Sequence, residues 1–235
     1  ELPNREEMIQ RMHNYIDSVV GHFKGKIFGW DVINEAILED GSYRKSTWYR
    51  AIGPEYFELA FKFAHEADPN AELYYNDYSM SNPRKRASVI KLIKRLKAAG
   101  CRIDAVGLQS HNGYNYPNLK EYEKSIQSFI AAGVKVQFTE LDINMLPNPN
   151  EFGGADISQK FSYKKSLNPY VKGLSKEAQR IFNNQYLAFF KLYRKYAPHV
   201  NRVTLWGVSD NNSWLNDWPI PGRTNYPLLF DRKYH

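Results

Sequence analysis

The sequence predicts an α/β fold built on a parallel sheet, and three observations lead to this prediction. Short apolar runs typical of buried strands alternate with longer segments in which apolar residues recur at helical spacing. Such an alternation of strands and helices implies crossover connections, which make neighbouring strands parallel. Polar side chains follow every apolar run, as they do at the end of a parallel barrel where the strands finish and active sites lie.

Five helices and five strands are predicted in turn along the 235 residues. We expect helices over about 4–22, from near Gly53 and Pro54, from Asn82 and Pro83, over about 119–130 and around 182–193. Proline is tolerated at the first helical position, so helices are expected to begin near Pro54 and at Pro83. We expect strands at about 27–33, 72–76, 104–109, 134–140 and 202–207. The polar stretch 147–173 is too long for a passive connector, so a binding element or disorder is expected there.

The composition limits the classes of partner. The formal net charge is +7, and the densest basic group is Arg84, Lys85 and Arg86. Because apolar residues follow this group at helical spacing, we interpret it as the solvated face of an amphipathic helix and expect no nucleic-acid partner. No run of about 18 apolar residues occurs, so no membrane span is expected. The single Cys101 excludes an internal disulfide.

Two glutamates stand out among the polar residues at the strand ends. Glu35 ends the first apolar run, and Glu140 ends the fourth. The carboxyl ends of strands in a parallel barrel meet at one mouth. Two carboxylates there can cleave a glycosidic bond, because one protonates the leaving oxygen while the other attacks or activates water. Their polar companions at the five strand ends are Asn34, Asn76, Asp77, Tyr78, Gln109, His111, Asp142, Trp206 and Trp214.

Other chemistries are less well supported by the spacing of these residues. His111 with the nearby carboxylates could ligate a divalent cation. The six histidines are dispersed, however, and no His-x-x-x-His or Glu-x-x-His spacing occurs, so we expect neither a metal nor a cofactor. A serine hydrolase is also disfavoured, because the Gly-x-Ser-x-Gly elbow is missing. Aromatic residues make up 15% of the chain, and they serve either as sugar platforms or as core filler.

Five segments, in order along the chain, resemble the signature segments of glycoside hydrolase family 10. They are 30–36 (WDVINEA), 75–78 (YNDY), 107–111 (GLQSH), 139–143 (TELDI) and 205–214 (LWGVSDNNSW). Members of this family are retaining endo-1,4-β-xylanases with a (β/α)8 TIM barrel. The resemblance implies that Glu35 is the acid/base and that Glu140 is the nucleophile. It also implies that Asn34 binds the 2-hydroxyl of the sugar at subsite −1.

The resemblance assigns further roles to the companion residues. Gln109 and His111 would lie near the nucleophile, and Asp142 would fix the orientation of His111. Trp206 and Trp214 would form the aromatic walls of the glycone subsites, and Tyr78 would lie on the leaving-group side. Asn76 would make either a substrate contact or a purely structural hydrogen bond.

The resemblance also implies that only strands 4–8 of the barrel are present in this chain. Residues 1–235 would then form a partial catalytic domain that lacks strands 1–3 and the closing helix. An open sheet would expose an unpaired edge strand, so we expect the missing part on another polypeptide or on a segment outside this sequence. The resemblance implies an extracellular, periplasmic or cell-surface location, although the chain shows no signal peptide.

The expected partner is xylan or a xylo-oligosaccharide, and two alternatives stay open. One is a β-1,4-glucanase or a mixed-specificity glycosidase, because residues that would reject the hydroxymethyl group of glucose lie partly outside this sequence. The other is a non-catalytic glycan-binding protein. Such a protein would keep Trp206 and Trp214, but it would not need both Glu35 and Glu140.

Overall fold

A computed structural model of the chain describes residues 3–235 and shows one sheet whose paired strands all run parallel. The strands are β1 (Gly29–Asn34), β2 (Glu72–Asp77), β3 (Ala105–Leu108), β4 (His111–Gly113), β5 (Lys135–Asn144) and β6 (Val200–Leu205). Their order is β1-β2-β3-β5-β6, and the short β4 pairs with the last residues of β5. The five predicted strands are therefore present. Only β4, which continues the path of β3 after a two-residue break, was not predicted.

Residues 3–235 form six α-helices, of which the first precedes β1 and the other five lie between strands. They are α1 (Arg5–His22), α2 (Thr47–Ile52), α3 (Tyr56–Ala67), α4 (Pro83–Ala98), α5 (Leu119–Ala131) and α6 (Lys176–Lys195). The predicted start at Asn82 and Pro83 is confirmed, because the Asn82 side chain accepts hydrogen bonds from the first turn of α4. The helix predicted to begin near Gly53 and Pro54 is present as α3, which begins at Tyr56, two residues after Pro54. Gly53 has φ +87° and ends the unpredicted α2, so Pro54 lies in the turn before α3.

Arg84 is exposed at the start of α4, as the sequence suggested, but Lys85 and Arg86 do not belong to a solvated face. Lys85 is fully buried, with Nζ 2.7 Å from Oδ1 of the equally buried Asp77. Arg86 is also buried and donates to the carboxylate of Glu121 at 2.9 Å. A buried charge needs a partner, and each of these two cations has one in a neighbouring element. Lys85 thus packs against β2 and Arg86 against α5, and neither belongs to a solvent-exposed basic patch.

The hydrophobic core lies between the sheet and the helices. The ring of Phe138 on β5 stacks on Tyr193 of α6, with ring centroids 3.8 Å apart. Burying such side chains contributes roughly 1.5–3 kcal/mol each and holds the helices against the strands. Other fully buried members of this core are Phe57, Phe61, Leu92, Ile93, Ile126, Phe129, Val136 and Phe189.

The sheet itself is strongly curved, as contacts between its distant strands show. Asn201 on β6 donates a hydrogen bond of 2.7 Å to Glu72 on β2, although two strands separate them. The guanidinium of Arg202 also lies 5.5 Å from the ring centroid of Phe28, which precedes β1. Such contacts across the sheet require it to curl towards a barrel. Within residues 3–235, β1 pairs only with β2, and β6 pairs only with β5.

Over the described range 3–235, no helix combines the length and the apolar character that a membrane-spanning helix needs.

Candidate active site

The chain turns sharply where the strands end, and these turns collect the polar side chains at one edge. Glu35 follows β1 with φ +56°, and Ser110 follows β3 with φ +66°. Both values lie in the left-handed region, which costs about 1–3 kcal/mol for residues other than glycine. Surrounding contacts must therefore hold these turns. Strain of this kind clusters at functional sites.

Two side chains hold the carboxylate of Glu140 from opposite sides. Asn76 Nδ2 donates to Oε1 at 3.0 Å, and His111 Nε2 lies 3.1 Å from Oε2. The side chain of Glu140 is only 14% exposed. Both carboxylate oxygens therefore have a fixed hydrogen-bond partner, and the remaining exposed part of the group can meet a ligand.

Residues on β3 and β5 fix the position of Asn76 on β2. Its Oδ1 accepts a hydrogen bond of 2.7 Å from Thr139 Oγ1. On β3, a Cβ added at Gly107 would come within 2.3 Å of the same oxygen. Only glycine therefore leaves room for the Asn76 amide at this point of the sheet. Thr139 and Gly107 were part of the segments quoted from the sequence, but no role was predicted for either.

The carboxylate of Glu35 belongs to the same hydrogen-bonded network. Gln109 Nε2 donates to Glu35 Oε1 at 2.9 Å and lies 3.3 Å from Asn34 Oδ1. Asn34 Oδ1 also accepts from Asn76 Nδ2 at 3.0 Å. Asn34 therefore lies between the amide that binds Glu35 and the amide that binds Glu140. The structure brings both glutamates and the three predicted amides into one site.

His111 lies between two carboxylates. Its Nδ1 is 3.1 Å from Oδ1 of the fully buried Asp142, on the side opposite Glu140. Burial alone would lower the pKa of His111, but the charge of Asp142 and the hydrogen bonds to both carboxylates outweigh burial and raise the pKa to about 9. The imidazole is therefore protonated at neutral pH, and both of its nitrogens donate.

Aromatic rings line one side of this group. Trp214 Nε1 donates to Asp142 Oδ2 at 2.8 Å, and its ring lies 4.9 Å from the His111 ring. Trp218 stacks on Trp214 with centroids 4.4 Å apart and an angle of 16° between the planes. Trp206 is 45% exposed and 6.5 Å from the His111 ring. Trp218 was not predicted, because it lies beyond the quoted segments and its stacking partner is visible only in the structure.

Tyr78 lies on the other side of the site and is buried, with only 4% of its surface exposed. Its ring is covered by the Lys85 ammonium at 3.8 Å, and its hydroxyl accepts from Arg44 Nη2 at 2.9 Å. Tyr78 and His111 both line a cleft of about 630 Å³ that extends to Tyr116 and Phe152. Tyr78 therefore offers little exposed ring surface to the cleft. Arg44 lies in none of the quoted sequence motifs, so the sequence did not identify it as a site residue.

Comparisons with known proteins agree with one another. A sequence model described as glycosyl hydrolase family 10 matches residues 2–235. Endo-1,4-beta-xylanase A of Xylanibacter ruminicola is 68% identical over 230 residues, which cover 98% of this chain and 62% of that protein. The beta-1,4-xylanase of Dictyoglomus thermophilum is 40% identical over 233 residues, again covering 98% of this chain and 62% of the relative. The chain thus spans 62% of the length of these two curated relatives.

Solved structures show the same likeness. An endoxylanase retrieved from a sugarcane soil metagenome superposes with a TM-score of 0.96 at 44% identity, covering 99% of this chain and 67% of the other. A xylanase of Thermoanaerobacterium saccharolyticum superposes with a TM-score of 0.81 at 34% identity, covering 99% of this chain and 64% of the other. That protein is described as intracellular. The extracellular, periplasmic or cell-surface location therefore stays a prediction for this chain.

Proposed function

This chain belongs to glycosyl hydrolase family 10, and we propose that it hydrolyses internal β-1,4-xylosidic bonds of xylan with retention of configuration. The observation that carries the proposal is the shared network of the two glutamates. Asn34 accepts from both Gln109, which binds Glu35, and Asn76, which binds Glu140. Two carboxyl groups held in one network are the machinery that a glycosidase needs.

The proposed mechanism gives the two glutamates different tasks. Glu35 protonates the leaving glycosidic oxygen while Glu140 attacks the anomeric carbon, which yields a covalent glycosyl-enzyme. Glu35 then removes a proton from water, and the water releases the sugar from Glu140. Protonated His111 donates a charge-assisted hydrogen bond to Glu140, and Asn76 donates to its other oxygen. These two bonds fix the nucleophile for attack.

The surrounding residues fit a sugar polymer as the ligand. Asn34 is proposed to bind the 2-hydroxyl of the sugar at the cleavage point, where such a contact strengthens in the transition state. Trp206 and Trp214 offer flat aromatic surface on the glycone side, and the cleft beside Tyr78 receives the leaving-group side. Sugar rings pack well on such mixed apolar and polar walls.

The active form is proposed to be a complete (β/α)8 barrel, which is the fold of the family. The sheet described here supplies strands 4–8 in this proposal, and further strands pair with β1 and β6. The curvature of the sheet and the single neighbour of each edge strand within residues 3–235 support it. Activity experiments therefore use the complete barrel, meaning a polypeptide or complex that includes these further strands.

Hydrolysis of defined polymers tests this function. We expect the complete barrel to release short xylo-oligosaccharides from xylan and to lower the viscosity of the solution early, since internal bonds are cut. Comparable rates on a β-1,4-glucan would favour the mixed-specificity alternative. Binding of xylan without release of new reducing ends would favour the non-catalytic alternative and contradict the proposal.

A further inference from the structure

Within residues 3–235, the Arg44 side chain hydrogen-bonds to the main chain of Glu35 and to no other residue of the two-glutamate network. Its Nε donates to the carbonyl oxygen of Glu35 at 2.7 Å. Its Nη2 donates to the Tyr78 hydroxyl at 2.9 Å, and its Nη1 lies 3.5 Å from Oδ2 of Asp156. The planar guanidinium therefore joins the backbone of the proposed acid/base to a buried aromatic residue that directly follows β2.

The backbone that Arg44 holds is strained. Glu35 has φ +56°, which a glutamate adopts only when its surroundings enforce it. Its amide donates to the carbonyl of Asn76 at 2.9 Å, which ties the residue to β2 from one side. Arg44 Nε supplies the contact to the carbonyl on the other side. A change at this carbonyl would rotate the side chain and move the carboxyl group away from the leaving oxygen.

The anchor of Arg44 is rigid. Tyr78 is almost fully buried, and its ring packs under the Lys85 ammonium, which is itself paired with Asp77. The main-chain amide of Tyr78 donates to Asp77 Oδ1 at 2.9 Å. Burial raises the pKa of Tyr78 to about 12 although Arg44 lowers it, so the hydroxyl stays neutral at working pH. The Tyr78 hydroxyl oxygen accepts the hydrogen bond from Arg44 with one lone pair. This contact therefore does not change with pH near neutrality.

We propose that Arg44 is a positioning residue for the proton transfer by Glu35, and that it acts by fixing the left-handed backbone of Glu35 to the buried Tyr78. This inference rests on the proposed function, because it assumes that Glu35 protonates the leaving group. The predicted signature is a defect that depends on the leaving group. A poor leaving group needs the proton, whereas a dinitrophenolate leaves without it.

The test compares two substrates of the complete barrel, xylotriose and 2,4-dinitrophenyl xylobioside. General acid catalysis contributes roughly 10²–10⁴-fold, and a misplacement of about 1 Å can cost about 10²-fold. We therefore expect Arg44→Met to lower kcat/KM for xylotriose by about 100-fold, while the value for the dinitrophenyl substrate changes little. Tyr78→Phe keeps the ring but removes the anchor, so it should show the same leaving-group dependence with a smaller loss.

Asp156→Asn is the matched control, because it removes a charge beside Arg44 but leaves the contacts to Glu35 and Tyr78 intact. It should keep the parent ratio between the two substrates. An equal loss on both substrates in Arg44→Met, or no loss on either, would overturn the positioning role. If the parent itself hydrolyses neither substrate, the proposed function fails. A crystal structure of Arg44→Met then decides the inference separately, since an unchanged φ at Glu35 and an unmoved Tyr78 would contradict it.

Discussion

Nε2 of His111 lies 3.1 Å from Oε2 of Glu140, the carboxylate proposed to attack the sugar. The other ring nitrogen faces Asp142, so the imidazole has an acidic partner on each side. Burial opposes the charged form of His111, but these partners outweigh it and raise the pKa to about 9. A positive charge is therefore fixed beside the proposed nucleophile over the whole neutral range.

This charge predicts how stability depends on pH. A histidine whose pKa is higher in the folded than in the unfolded protein stabilises the fold. This contribution is fully present below the unfolded-state pKa of about 6.5, and it is lost as the pH rises through the folded-state pKa of about 9. We expect the free energy of unfolding to fall by up to about 3 kcal/mol across this window, since one pKa unit corresponds to about 1.4 kcal/mol. Denaturant titrations between pH 6 and 10 measure it.

Two substitutions separate His111 from other groups that titrate in the same window. His111→Asn should remove this part of the pH dependence, so its stability should approach that of the parent as the pH rises. His199→Asn alters an exposed histidine and should keep the parent's dependence. A His111→Asn variant with the same slope as the parent would show that the pair of carboxylates does not stabilise the charged imidazole.

The fold could be predicted where the signal was local. The apolar runs predicted every strand within residues 3–235 except the short β4, and Asn82 with Pro83 predicted the start of α4. Lys85 was misinterpreted although the sequence holds a hint. It lies four residues before Val89 and seven before Leu92, on the same apolar stripe of the helix. Helical periodicity cannot tell whether a lysine on such a stripe finds a buried carboxylate. Asp77 supplies that partner only after β2 and α4 have packed.

The site could be predicted to a similar extent. Residues that follow a strand were identified, because parallel strands place their ends together. Arg44 and Trp218 were missed because they lie on connecting segments, and their partners are brought to them only by the tertiary fold. The burial of Tyr78 was not foreseen either, since the cation that covers its ring comes from α4.

Retention of configuration is the second prediction. A nucleophile that touches the anomeric carbon requires the two carboxyl groups to lie about 5–5.5 Å apart, whereas inversion needs about 6.5–9.5 Å to admit a water. The shared contacts through Asn34 favour the close arrangement of Glu35 and Glu140. Proton NMR of a xylo-oligosaccharide digest should show the β-anomer as the first product. First appearance of the α-anomer would contradict the double displacement.

The third prediction separates the roles of the two glutamates by mutation. Glu140→Ala should be inactive on every substrate, because no covalent intermediate can form. Glu35→Ala should still react with a dinitrophenyl xyloside, since that leaving group needs no proton, and should then stall before water attacks. Azide should rescue Glu35→Ala and give the β-glycosyl azide. If both variants respond alike to the leaving group and to azide, the assignment of the roles is wrong.

The last prediction concerns the hydrogen bond between Trp214 and Asp142. The indole Nε1 lies 2.8 Å from Oδ2 of an aspartate that is fully buried. Trp214→Phe keeps an aromatic ring but leaves this oxygen without its donor, which costs about 1–3 kcal/mol for a buried group. We expect a loss of stability of this size in denaturant titrations at pH 7, together with weaker binding of xylo-oligosaccharides.

Trp218→Phe is the matched control for this change. Trp218 stacks on Trp214, but within residues 3–235 its buried Nε1 makes no hydrogen bond. The same truncation therefore removes a similar area of aromatic surface without unpairing an acceptor, and it should cost less stability than Trp214→Phe. Asp142 is also the main charge that opposes the effect of burial on His111. If the two variants lose equal stability, the Trp214 bond contributes nothing beyond packing, and another group must fix Asp142 against His111.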